Sequence, residues 1–209
     1  MKTSTSLLLV EGRSEENAIR EFYKQWKIDI NFDISSEGSI TKLKTSFKTH
    51  LKSSNVYRKL WIIIDADTSY ACAWQSIRDI LERSGKYNPP LQLCPNGLIL
   101  TPVDANDLIV GVWIMPNNQD IGMLEDFMMG IIPEDNMLLN EAETVITNLE
   151  KKNIQKYKNV HRAKAKLHTW LAWHDEPGDS VNVAIRKNLF SRDKELVITF
   201  KNWLMELNK

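Results

Sequence analysis

Leu60-Trp61-Ile62-Ile63-Ile64-Asp65-Ala66-Asp67 is the stretch on which the fold turns. Five consecutive apolar residues suit a strand covered on both faces, since a half-exposed strand would alternate apolar with polar residues. The run stops at two acids, and Tyr70 to Arg83 then places apolar residues at helical intervals. Upstream the same grammar occurs once more. Leu7-Leu8-Leu9-Val10 ends in Glu11-Gly12, and Ser14 to Trp26 carries Ala18, Ile19, Phe22, Tyr23 and Trp26 at helix-like spacing. Ser14 is the expected N-cap, with Glu15, Glu16 and Asn17 in the first turn, where acids favour the positive end of the helix dipole. Between these units, Ile28 to Ile34 alternates as a strand would, and residues 39–53 read as a polar, Lys-rich helix.

The resulting βαβα order predicts an α/β fold built on a largely parallel sheet flanked by helices. Downstream, Leu98 to Pro102 and Leu108 to Met115 read as further short strands separated by Pro and Gly turns. Helices are expected from Gly122, over Met137 to Lys151, over Val160 to Trp173 and over Lys194 to Leu207. One domain spanning 1–209 is the expectation, with an α/β core over 1–115 and a mainly helical C-terminal extension over 116–209.

The 209 residues, 43% of them hydrophobic, suffice for one substantial core. Nothing resembles a bilayer-spanning run, and Met1 to Ser6 leads into only four apolar residues, so a soluble cytoplasmic protein without a membrane partner is expected. Cys72 and Cys94 fit neither a disulfide framework nor a four-ligand zinc site and read as buried small residues. His161, His168 and His174 lack the i, i+4 pairing of a helical zinc motif and read as structural. Leu167, Trp170, Leu171 and Trp173 read as a core stripe, and Trp113 with Met115 as the inward face of a strand.

The zero net charge conceals segregation. Residues 1–60 carry 11 Lys/Arg against 7 Asp/Glu, residues 61–150 carry 3 against 14, and residues 151–209 carry 13 against 6. An acidic middle between basic ends suits a protein that gathers cations at one place and contacts a polyanion with another, although solvated helix faces would give the same counts.

Two buried-type strands therefore end in carboxylate where the chain turns toward a helix, at Glu11 and at Asp65 with Asp67. In open α/β sheets those strand ends line the binding crevice. Three acids at one edge repel one another unless a cation intervenes, and hard divalent ions such as Mg²⁺ prefer such oxygen ligands. Glu15 lies one helical turn beyond Glu11 and can face the same crevice.

An apolar strand, Glu-Gly, a helix, and later an apolar strand ending Asp-x-Asp resembles the Toprim domain of topoisomerases, primases and nucleases. Val10-Glu11-Gly12-Arg13-Ser14-Glu15, with its second acid four residues after the first, is most similar to the OLD-type (overcoming lysogenization defect) nucleases. Gly111 to Asn118, Gly122 to Phe127 and Lys164 to Gly178 further resemble an uncharacterised family of small stand-alone Toprim-like proteins. Together these similarities touch most of the chain.

The resemblance implies a Mg²⁺- or Mn²⁺-dependent nuclease holding one or two ions through Glu11, Asp65 and Asp67, with Glu15 and Glu125 as second-site ligands. Asp126 competes with Glu125. Glu11 becomes a ligand and general acid/base, and Lys164 the cation that stabilises the transition state, with Lys166 and Arg162 as alternatives. Thr68-Ser69 depart from the acid or Gly that follows Asp-x-Asp in many Toprim proteins, which leaves the number of ions open. The substrate is nucleic acid, DNA or RNA. Because OLD-type nucleases couple a Toprim domain to an ATPase and this chain has no Gly-x-x-x-x-Gly-Lys-Ser/Thr, the resemblance also implies a separate ATPase partner and a role in phage defence. A homo-oligomer is compatible with this reading. The alternative is a non-catalytic Toprim-like module that binds nucleic acid or a protein partner.

Overall fold

The structure, a computed structural model, describes residues 4–53 and 57–209. Met1 to Thr3, read above as part of a polar lead-in, lie outside the described residues. Five strands form one sheet, namely β1 (Ser6–Val10), β2 (Asp33–Ser36), β3 (Lys59–Asp65), β4 (Leu98–Leu100) and β5 (Ile109–Met115). Among the described residues there are eight α-helices, of which α1 (Arg13–Trp26), α2 (Ile40–Lys52) and α3 (Tyr70–Ser84) alternate with the strands. The others follow β5: α4 (Leu124–Gly130), α5 (Met137–Lys151), α6 (Arg162–Leu171), α7 (Val181–Arg186) and α8 (Glu195–Asn208).

The strand order is β2-β1-β3-β5-β4, with every pairing parallel except the short β4 edge, which runs antiparallel to β5. The α/β reading from sequence is therefore observed. Leaving β1, the chain steps outward to β2 on one side and then returns to lay β3 on the other. The reversal point falls between the carboxyl ends of β1 and β3, where α/β sheets open a crevice.

Alternation along each strand divides the core between the two sheet faces. Leu8, Val10, Trp61, Ile63, Trp113 and Met115 face the layer containing α1, α4, α6, α7 and α8. Leu7, Leu9, Leu60, Ile62, Ile64 and Val112 face α2 and α3 instead. The first layer holds a chain of aromatic contacts in which Phe127 meets Phe200, Phe200 meets Trp113, and Trp113 meets Trp203. Gly111 belongs to this layer for a steric reason. A Cβ there would lie 2.4 Å from the Trp61 ring.

Most elements match the sequence reading, and the departures have local causes. Helix α1 is capped from Gly12, two residues before Ser14, and the Glu15 carboxylate reaches back to accept the Gly12 N–H at 2.9 Å. The strand expected over Ile28 to Ile34 pairs only from Asp33 to Ser36. Ile28 and Ile30 instead pack sideways on the core, and the Asn31 N–H is taken by the Asn208 side chain at 2.9 Å. The short helix α7 was not anticipated. Cys72 and Cys94 are exposed rather than buried, and Trp173 is 40% exposed, so the apolar stripe of α6 ends at Leu171. Trp170, with its indole N–H on Asn136 at 3.0 Å, and Trp113 are buried as expected. His174 packs edge-on against Trp170, with ring centroids 4.5 Å apart. Among the described residues no helix is long and apolar enough to cross a membrane.

Candidate functional site

Parallel pairing of β1 with β3 brings their carboxyl ends side by side, with Leu9 opposite Ile62. Glu11 is the first residue beyond β1, and Asp65 is the last of β3, opposite Met115 of β5. Asp67 follows in the left-handed region (φ 50°), a conformation that Asp tolerates better than most residues. Two backbone hydrogen bonds fix it there. Asp67 N–H donates to the Gly122 carbonyl at 2.8 Å, and Gly122 N–H donates to the Asp67 carbonyl at 2.9 Å.

That bridge ties the end of β3 to the entrance of α4 and so delivers Glu125 to the same crevice. Gly122 is required in the bridge, because its φ is +135° and a Cβ would sit 2.7 Å from the Asp126 carboxylate. Asp126 is engaged as a cap, its carboxylate accepting the Met123 N–H at 2.9 Å. Burial is the main cause holding its carboxyl above the usual range. Of the two candidate acids, Glu125 is the one left facing Asp65.

Glu11, Glu15, Asp67 and Glu125 all lie near enough to act on the charge of Asp65. Burial pushes the Asp65 carboxyl up to about 8, with Glu15, Glu11, Asp67 and Glu125 each adding repulsion. Glu11 is raised for the same reasons, first by burial and then by Glu15 and Asp67. The Ile40 backbone N–H and the Lys44 charge partly offset that rise. Glu15 and Glu125 are both almost fully buried.

Among the described residues, no three or more His, Cys, Asp or Glu side chains are drawn close enough together to grip an ion. Mutual repulsion is one cause of this spacing, and competing partners are another. One Glu15 oxygen is turned to the Gly12 N–H, and a Glu125 oxygen is 3.4 Å from the Lys164 ammonium. The set offers only carboxylate oxygens, which is donor chemistry suited to Mg²⁺ or Mn²⁺ rather than to softer metals.

The three cations of α6 have different partners. Lys164 reaches Glu125, while Lys166 binds Glu143 at 2.8 Å, two residues along and on another face. Arg162 is held by both Glu143 and Glu150. The Arg162 and Lys166 hydrogen bonds hold the Glu143 carboxyl down at about 2. A groove of about 330 Å³ runs beside the site from Asp67 and Gly122 to Arg162 and Lys166. A larger cleft of about 650 Å³ lies at the opposite end of the sheet, lined by Ser4, Arg58, Lys59 and Lys209, away from the acids. Lys44 is the site neighbour not anticipated from sequence. The signal available was its place one turn into a Lys-rich helix whose start follows β2.

The chain is an α/β protein with a mostly parallel sheet and carboxylates at the strand ends beside its reversal point. Residues 5–209 match the family described as "Protein of unknown function (DUF3226)", and the chain belongs to that family. Among solved structures, the C-terminal region of the Xanthomonas campestris pv. campestris OLD protein, phased with mercury, is similar. It shares 12% identity over 99% of this chain and 97% of that one, with a TM-score of 0.47. No curated protein matches the sequence.

Proposed function

We propose that the protein is a Toprim-like, divalent-metal-dependent nuclease that hydrolyses phosphodiester bonds in DNA or RNA. The observation that supports this reading is the repulsion that Glu11, Glu15, Asp67 and Glu125 exert on the buried Asp65, with Lys164 paired to Glu125. Carboxylates held together in this way cost folding free energy unless a cation neutralises them. Asp65, Glu11 and Asp67 would hold Mg²⁺ or Mn²⁺ most directly, with Glu15 and Glu125 completing a second position. A bound ion would supply Lewis-acid polarisation of the phosphate and a more acidic water.

The chain's own groups supply the rest. Glu11, its carboxyl raised by burial and by neighbouring acids, suits proton transfer as water adds to phosphorus and the bond to the leaving oxygen breaks. The Lys164 ammonium, paired with Glu125, is the group that would stabilise charge on the non-bridging oxygens. Resemblance at Glu11 and Glu15 to the OLD-type nucleases extends the proposal to a separate ATPase partner and to phage defence.

Metal-dependent cleavage, assayed with the purified protein and with the products of neighbouring genes on DNA, ribosomal RNA and transfer RNA, should be abolished by Glu11→Gln. The wide spacing of the carboxylates favours a second reading, a non-catalytic module that binds nucleic acid or a protein partner. Absence of cleavage on every substrate, together with calorimetry showing no divalent-ion binding, would establish that second reading over the first.

A further inference from the structure

We propose that α2 is a track for a nucleic-acid backbone, its phosphates held in turn by Lys44, Lys48 and Lys52 on the way to the carboxylate crevice. The proposal rests on the nuclease reading only for what lies at the end of the track. Binding along α2 can be measured without any cleavage.

Between Glu37 and Asp65 the sequence has no acid and six Lys/Arg. Four of these cations, Lys42, Lys44, Lys48 and Lys52, lie on α2. Leu43, Phe47 and Leu51 bury the inner side of the helix. Each lysine of the row follows one of these residues, so Lys44, Lys48 and Lys52 share a single outward face, about 6 Å apart along the axis. The row begins beside the site, since the Ile40 N–H points to the Glu11 carboxylate and the Lys44 charge is felt there. At its far end Lys48 and Lys52 line a cleft of about 240 Å³ with Arg83 of α3.

Availability distinguishes this row from the cations of α6. Among the described residues none of the four α2 lysines takes part in a salt bridge, whereas Lys164, Lys166 and Arg162 are all paired with glutamates. The basic groove between α1 and α7 is partly neutralised too, because Lys24 and Arg186 share Glu21. Like charges at i, i+4 destabilise a helix, and α2 keeps two such pairs in succession. A repeating polyanion would relieve that repulsion, and one contact per helical turn matches a ligand whose charge recurs at intervals of a few ångström.

The test uses the full chain and fluorescent oligonucleotides, single-stranded and duplex, of DNA and of RNA, with EDTA present so that no cleavage interferes. Lys48→Gln with Lys52→Gln changes two exposed side chains one and two turns beyond Lys44. The double variant should keep the wild-type melting temperature, bind roughly tenfold more weakly at 0.1 M salt, and lower the slope of log K against log salt by about 0.7–0.9 per lysine. Lys151→Gln with Lys152→Gln at the end of α5 should leave both quantities unchanged. Wild-type affinity and slope in the α2 variant would overturn the proposal, as would equal losses in the α5 variant or no oligonucleotide binding by the wild type at low salt. Binding that follows the α2 charges without metal-dependent cleavage would leave the track standing and defeat only the nuclease reading.

Discussion

Asp65→Asn should stabilise the metal-free protein at alkaline pH while removing its response to divalent ions. The Asp65 carboxyl is raised from 3.8 to about 8, first by burial and then by Glu15, Glu11, Asp67 and Glu125. A raised folded-state value means that the native protein binds this proton more tightly than the unfolded chain does. The associated stability is therefore fully present below about pH 4 and is lost as pH rises through about 8. Taken alone, the shift corresponds to a ceiling of about 6 kcal/mol. The carboxylates titrate together and can splay, so roughly 2–3 kcal/mol is the working expectation. For a chain of this size that is a melting-temperature loss of about 5–10 °C between pH 5 and pH 8.5 in EDTA. The asparagine variant should show a much flatter profile and melt above wild type at pH 8.5. Adding Mg²⁺ or Mn²⁺ at about a hundred times the dissociation constant should return about 2.7 kcal/mol to the wild type and little to the variant. Calorimetric melting at the two pH values, with and without metal, reads all of this. Identical pH slopes for wild type and variant would refute the electrostatic account of the site.

Two further outcomes concern separate layers of the structure. Lys164→Met should lower saturating turnover by roughly 10²–10³ while sparing metal affinity, and Lys166→Met, whose native partner is Glu143, should not; steady-state kinetics on a cleaved substrate compares the two. Gly111→Ala forces a methyl group against the Trp61 ring and should cost about 1–3 kcal/mol in chemical denaturation, with no change in metal titration.

Much of the architecture was legible because fully apolar strands and amphipathic helices differ in period. Leu60 to Ile64 and Tyr70 to Arg83 needed no tertiary information to be recognised. Ile28 to Ile34 misled because its alternation serves chain packed beside α1 and α8, and among the described residues its pairing with β1 starts only at Asp33. Cys72 and Cys94 misled because composition gives a residue's average burial and not its face. At the site, strand ends announced Glu11, Asp65 and Asp67. What separates Glu125 from Asp126, and Lys164 from Lys166, is a partner more than ten residues away or a cap beside Gly122, none of which has a period to read. Lys44 is a similar case, since its nearness to Glu11 follows from the loop between β2 and α2.

The reach of Glu15 back to the Gly12 N–H gives one side chain two separable duties. A glutamine at this position would still offer an oxygen to that N–H and start the helix, yet would contribute no charge to the crevice. An alanine would forfeit both. Drift within the family consequently has an easy first step: a copy released from selection for chemistry can exchange Glu15→Gln while its fold persists. On the proposed reading, position 15 compared across related sequences would record which lineages keep an acid facing Asp65 and which keep only the cap.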